Sequence, residues 1–197
     1  MCINVGKEVS RPNYLDMSGH YLHDAIDFEM RYKFCINSDG PVFNATRSGR
    51  AKCFIDLRMG LESILKSLVC YYEAGGRVGK PLINWIEKLG HNIDKLLKKL
   101  KAHMSQEWLD AHEGDFKKLK LLPVGLRYRL DAWNFEDNKA EIYDTTIGSE
   151  VWMDNLHMVL NSLIEKTNEL LSAHRRILSG KDLISEASEI WYEKHTY

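Results

Sequence analysis

Between Ser149 and Ser179 the apolar residues recur at steps of three and four: Val151, Trp152, Leu156, Val159, Leu160, Leu163, Ile164, Leu170, Leu171 and Leu178, with Thr167 and His174 on the same stripe. That spacing is one face of a 3.6-residue helix and does not fit the two-residue alternation of a strand. Ser149 stands where an N-cap belongs, Glu150 and Asp154 favour the positive helix start, and Arg175 and Arg176 favour its negative end. Ser179 and Gly180 then supply a stop. A helix of about 30 residues is about 45 Å long, so its apolar stripe needs partners of comparable length.

The same period supplies them. Phe54, Leu57, Leu61, Ile64, Leu65, Leu68 and Val69 predict a helix over about 51–72, ended by Gly75 and Gly76, with Glu62 and Lys66 paired at i,i+4 on another face. Leu15, Leu22, Ala25, Ile26 and Tyr32 predict an earlier one over about 16–35, ended by the turn residues from Asn37 to Pro41. Pro81 opens a short helix to Leu89, because its missing N–H costs nothing in a first turn. Asn92 caps a helix carrying Ile93, Leu96, Leu97 and Leu100, and Ser105 caps one carrying Trp108 and Leu109. From Leu121 to Ile147 the period fades, and Pro123 and Gly125 break any helix. Val124 to Leu130 has room to be extended, but no alternating run is long enough for a sheet. Asp182 starts a last helix to about residue 194, with Leu183, Ile184, Ala187, Ile190 and Trp191. The expected fold is a single all-α domain over 1–197, an up-and-down bundle with short extra helices at both ends.

Composition excludes several classes. With 44% hydrophobic residues and only 4 Pro, the chain is neither collagen-like nor broadly disordered. A net charge of -1 argues against a wholly basic surface. No apolar run approaches the roughly 18 residues of a membrane span. Lys7 and Glu8 fall where a secretory leader would be apolar. Cys2, Cys35, Cys53 and Cys70 are far apart, with no Cys-x-x-Cys, as in proteins with reduced thiols. A cytoplasmic protein is expected.

Few motifs carry chemistry. His20, His23, Asp24 and Asp27 share one helix face at spacings that suit metal ligation, but they lie opposite Leu22, Ala25 and Ile26, where a solvated face is the simpler account. No His-Glu-x-x-His element and no Gly-x-Ser-x-Gly elbow is present, and the glycines from Gly75 to Lys80 lack the order of a phosphate loop. No metal and no cofactor is expected. Charge is more telling. Residues 88–130 hold ten Lys or Arg against five acids, whereas residues 131–170 hold nine acids against Lys139 and Lys166. The basic segment, interleaved with Trp108, Phe116 and Tyr128, has what single-stranded RNA contact uses: charge for phosphates, rings for bases. The plainer reading is a solvated helix face, since Lys95, Lys98, Lys99 and Lys101 oppose Leu96, Leu97 and Leu100. In a third reading, the acidic segment around Asp131 to Asp144 docks a basic protein partner.

Phe54 to Val69, followed by Gly90 to Leu100 with its Gly-His-Asn start, then by the Leu126-Arg127-Tyr128 element before the long final helix, resembles the HEPN-like helical superfamily over about residues 45–178. The resemblance implies a homodimer that binds RNA or a nucleotide, in a bacterial stress or defence setting. Many members are metal-independent ribonucleases with an Arg-x4-6-His motif, whose guanidinium and imidazole serve general acid/base work and charge stabilisation. None of the ten arginines here is followed by His at that distance, so the expectation is a binding module with no catalytic residue. The nucleic-acid-binding residues would be Lys95, Lys98, Lys99, Lys117, Lys118, Arg127 and Tyr128. Two alternatives stand beside it: a divergent ribonuclease using His91 and Arg127, and a scaffold that binds only protein. His91 itself reads either as an acid/base or phosphate contact, or as a structural residue bonding across the turn beside Asn92.

Overall fold

The computed structural model describes residues 11–37, 47–122 and 139–179. Within them lie α1 (Tyr14–Asn37), α2 (Arg47–Glu73), α3 (Gly79–Glu87), α4 (Ile93–Leu100), α5 (Gln106–Lys120), α6 (Lys139–Thr145) and α7 (Glu150–Ser179), and no strand. The all-α expectation holds. Three caps form as their residue types dictate: Asn92 accepts from the Lys95 N–H, Ser105 from that of Trp108, and Ser149 from that of Trp152. α6 lies where the period had faded; seven residues are too few to show one. The Leu126–Tyr128 element and the helix expected over about 182–194 lie outside the described residues.

α2 is the central element. Phe54, Leu57, Leu61, Ile64 and Leu65 are all fully buried, as are Leu156 and Leu160 of α7. Cross-contacts give the directions. Ser18 meets Ser67 and Arg31 meets Asp56, so α1 runs antiparallel to α2. Arg50 meets Glu150 and Tyr71 meets His174, so α7 runs parallel to α2. The close approach depends on small residues. A Cβ on Gly60 would stand 2.8 Å from Leu160 Cδ2 and 3.4 Å from Phe28 Cβ, so α1, α2 and α7 converge where α2 has no side chain. Nearby, the Ser18 hydroxyl donates to the Ser67 carbonyl at 3.0 Å and that of Ser67 to the Ser18 carbonyl at 2.7 Å, which satisfies both buried hydroxyls.

The shorter helices complete the wrap. α4 lies along α2 in the same direction, with His91 against Glu62 and His103 against Glu73. α5 returns antiparallel, bringing its C-terminal end to Arg58. α3 closes a second cluster, in which Leu82 and Ile86 meet Cys70 of α2 and Ala74 just after it. Gly79 holds a φ of +59°, open to glycine without strain, and its N–H donates to the Pro12 carbonyl at 2.8 Å. Among the described residues no helix is long and apolar enough to cross a membrane.

Candidate functional site

Because α2 is enclosed by other helices, its polar residues must find partners on them or remain unpaired. Asp56 accepts from Arg31 of α1 at 2.8 Å; even so, burial outweighs that neighbouring charge and raises the Asp56 pKa. Glu62, 2% exposed, accepts from Lys66 and from His91 Nδ1, both at 2.8 Å. The Glu62–Lys66 pair forms as the spacing predicts, but on a buried face. His91 therefore does not bond across its own turn: it reaches to α2. With Nδ1–H committed to the carboxylate, its Nε2 points away from Glu62.

Arg58 is the unusual member. It is 8% exposed, yet among the described residues no carboxylate lies within ion-pair distance of it. Its Nη1 donates to the carbonyls of Leu119 and Leu122 at the negative end of α5, both at a long 3.4 Å. Its Nε has no partner, and neither has Glu62 Oε2. Burial lowers the Arg58 pKa, partly opposed by the charge on Glu62. The guanidinium still stays cationic at neutral pH.

Arg58 lines a crevice of about 440 Å³ between α2, the start of α4 and the end of α5, together with His91, Asn92, Asp94 and Lys120. Lys120 pairs with Asp94 across it at 2.6 Å. Neighbouring this crevice, a groove of about 380 Å³ runs between α4 and α5, with Leu97 and Leu109 among its apolar residues and Lys98, Lys101, Lys117 and Lys120 along it.

The basic residues singled out in the sequence separate in space. Lys98 and Lys117 line the α4–α5 groove, where Lys117 pairs with Glu113 at 3.1 Å. Lys95 is exposed on α4, whereas Lys99 is half-buried with its ammonium 5.6 Å from the centre of the Trp85 ring. Lys118 donates to the Thr145 carbonyl. Arg127 and Tyr128 lie outside the described residues. The rings expected to stack on bases are occupied otherwise: Phe116 is buried and Trp108 is half-buried against it, centroids 6.0 Å apart.

Other chemistry finds less. His20, His23, Asp24 and Asp27 are all exposed, and among the described residues no three His, Cys, Asp or Glu are grouped to hold a metal. Burial pushes the Cys53 thiol up to about 11 and that of Cys70 up to about 12, which makes both poor nucleophiles at neutral pH.

Sequence reasoning missed Arg58, Glu62 and Lys120 as one constellation. The available signal was local: two opposite charges at i,i+4 in a helix apolar around most of its circumference. No family model, no curated protein and no solved structure matches the chain.

Proposed function

We propose that the protein is a HEPN-like helical module that binds single-stranded RNA or a nucleotide and has no nuclease chemistry of its own. The carrying observation is the α4–α5 groove. Four lysines line it beside apolar side chains and the acids Asp94, Asp110 and Glu113; Asp94 and Glu113 are taken by Lys120 and Lys117, and neither Lys98 nor Lys101 has an ion-pair partner among the described residues. Unpaired cations beside an apolar floor suit a ligand of phosphates and bases. Binding should weaken linearly in a log–log plot against salt, by about −0.7 per phosphate contact on single strands. Reversing Lys98 and Lys101 together to Glu should weaken it by about tenfold or more while the helical circular dichroism stays unchanged, because Lys98 and Lys101 are exposed. Absent or salt-insensitive binding would move the reading to a protein-partner scaffold. Cleavage lost in His91→Ala but kept in the Lys reversals would make the protein a ribonuclease.

Self-association belongs to the same reading. Phe34 is 75% exposed and Met30 61% exposed, both beside the groove between α1 and α2, and a symmetric partner would cover that strip. Light scattering should return about twice the chain mass of 22.9 kDa. A strict monomer would remove self-association from the proposal.

A further inference from the structure

We infer that the crevice between α2, the start of α4 and the end of α5 is a binding site for a single phosphate group, with Arg58 as its anchor and His91 and Lys120 as its outer donors. This goes beyond the α4–α5 groove and depends on different residues, apart from the paired Asp94 and Lys120 at the border of the two.

The argument starts from an imbalance of charge. A buried guanidinium is normally met by a carboxylate, because desolvating it otherwise costs several kcal/mol. Asp94 balances Lys120, and Lys66 and His91 share Glu62. Arg58 has two long carbonyl contacts and an unpartnered Nε. Among the residues lining the crevice it is the formal charge without an ion-pair partner, and it is 8% exposed.

A tetrahedral oxyanion can accept from donors that approach from several sides, and the crevice offers them. They come from three separate elements: Arg58 from α2, His91 from the turn before α4, and Lys120 from the last residue of α5. Glu62 fixes the His91 ring through Nδ1 and leaves Nε2 facing a ligand, to which it donates when the ring is the imidazolium with both N–H groups. The ligand would also sit at the positive end of α4. At about 440 Å³ the crevice falls in the range of small-molecule sites, with room for the group to which the phosphate is esterified. The ligand class is thus a phosphomonoester, with free phosphate as its minimal form.

The test is thermal unfolding of the full chain in inorganic phosphate against chloride at matched ionic strength. Phosphate at a hundredfold excess over its dissociation constant should raise Tm by about 5–10 °C. Arg58→Met should lose that response while its Tm in phosphate-free buffer equals or exceeds wild type, since the substitution removes an unpaired buried charge. His91→Ala and Lys120→Ala, at exposed positions, should each weaken phosphate binding about three- to tenfold. Displacement of phosphate by adenosine monophosphate, but not by adenosine, would identify a nucleotide source; phosphate binding without such displacement would identify the free anion. An equal shift in chloride overturns the inference, as does a phosphate response retained in Arg58→Met. If Arg58→Met fails to fold, a response unchanged in both His91→Ala and Lys120→Ala overturns it equally. Phosphate binding in a protein that ignores RNA would sink the RNA reading and leave this site standing.

Discussion

Leu163→Ala should lower the free energy of unfolding by about 2–5 kcal/mol, the range of buried large-to-small substitutions that leave a cavity. Leu163 is 1% exposed on the face of α7 packed in the core, and its neighbours along that stripe, Leu156 and Leu160, are fully buried. In a chain of this size each kcal/mol moves Tm by about 2–4 °C, so thermal denaturation reads the loss directly. Val151→Ala is the control. Val151 continues the same apolar period but is 71% exposed in the first turn of α7, so its truncation should stay within about 0.5 kcal/mol. Equal losses at the two positions would mean that α7 is rotated from the orientation described.

Glu29→Gln should cost about 1–3 kcal/mol at neutral pH, with the cost shrinking in acid. Glu29 is 6% exposed on α1 and accepts from Lys33 on its own helix and from His157 on α7, both at 2.7 Å. Burial raises its pKa, but the two hydrogen bonds and the neighbouring charges outweigh burial, and the net shift is downward. A carboxyl lowered in the folded state stabilises above its unfolded value of about 4.3, and that stabilisation is lost as pH falls through the folded value. Asp56 runs the other way. Its pKa is raised, so its contribution is full below the unfolded value of about 3.9 and is lost as pH rises through the folded value. Asp56→Asn should therefore leave stability at neutral pH unchanged or higher. Urea unfolding of the wild type and both variants at neutral and acid pH checks the two signs together. An Asp56→Asn variant weaker than Glu29→Gln at neutral pH would reverse the assignment.

The helices were legible because each is determined within a few residues of itself. Steps of three and four gave the stripe of α7, and the hydroxyl of Ser105 or the amide of Asn92 needs only an N–H three residues on. Such contacts exist before any tertiary packing. Val151 marks the edge of that logic: it keeps the period, yet it is exposed in the first turn of α7. Periodicity gives the direction of a face; whether anything covers it is decided elsewhere in the chain.

The crevice was not legible for the complementary reason. Arg58 reads as an ordinary charged helix residue until the end of α5, about sixty residues later, arrives over it and removes its water. Glu62 reads as half of a surface pair until His91, 29 residues on, closes against it. By itself the sequence determined that long amphipathic helices form, where they begin and which stripes are apolar, because propensity, capping and periodicity act locally. The tertiary structure alone decided which charges would be stripped of solvent and which would keep a partner, because desolvation depends on what packs from a distance rather than on the identity of neighbours in the chain.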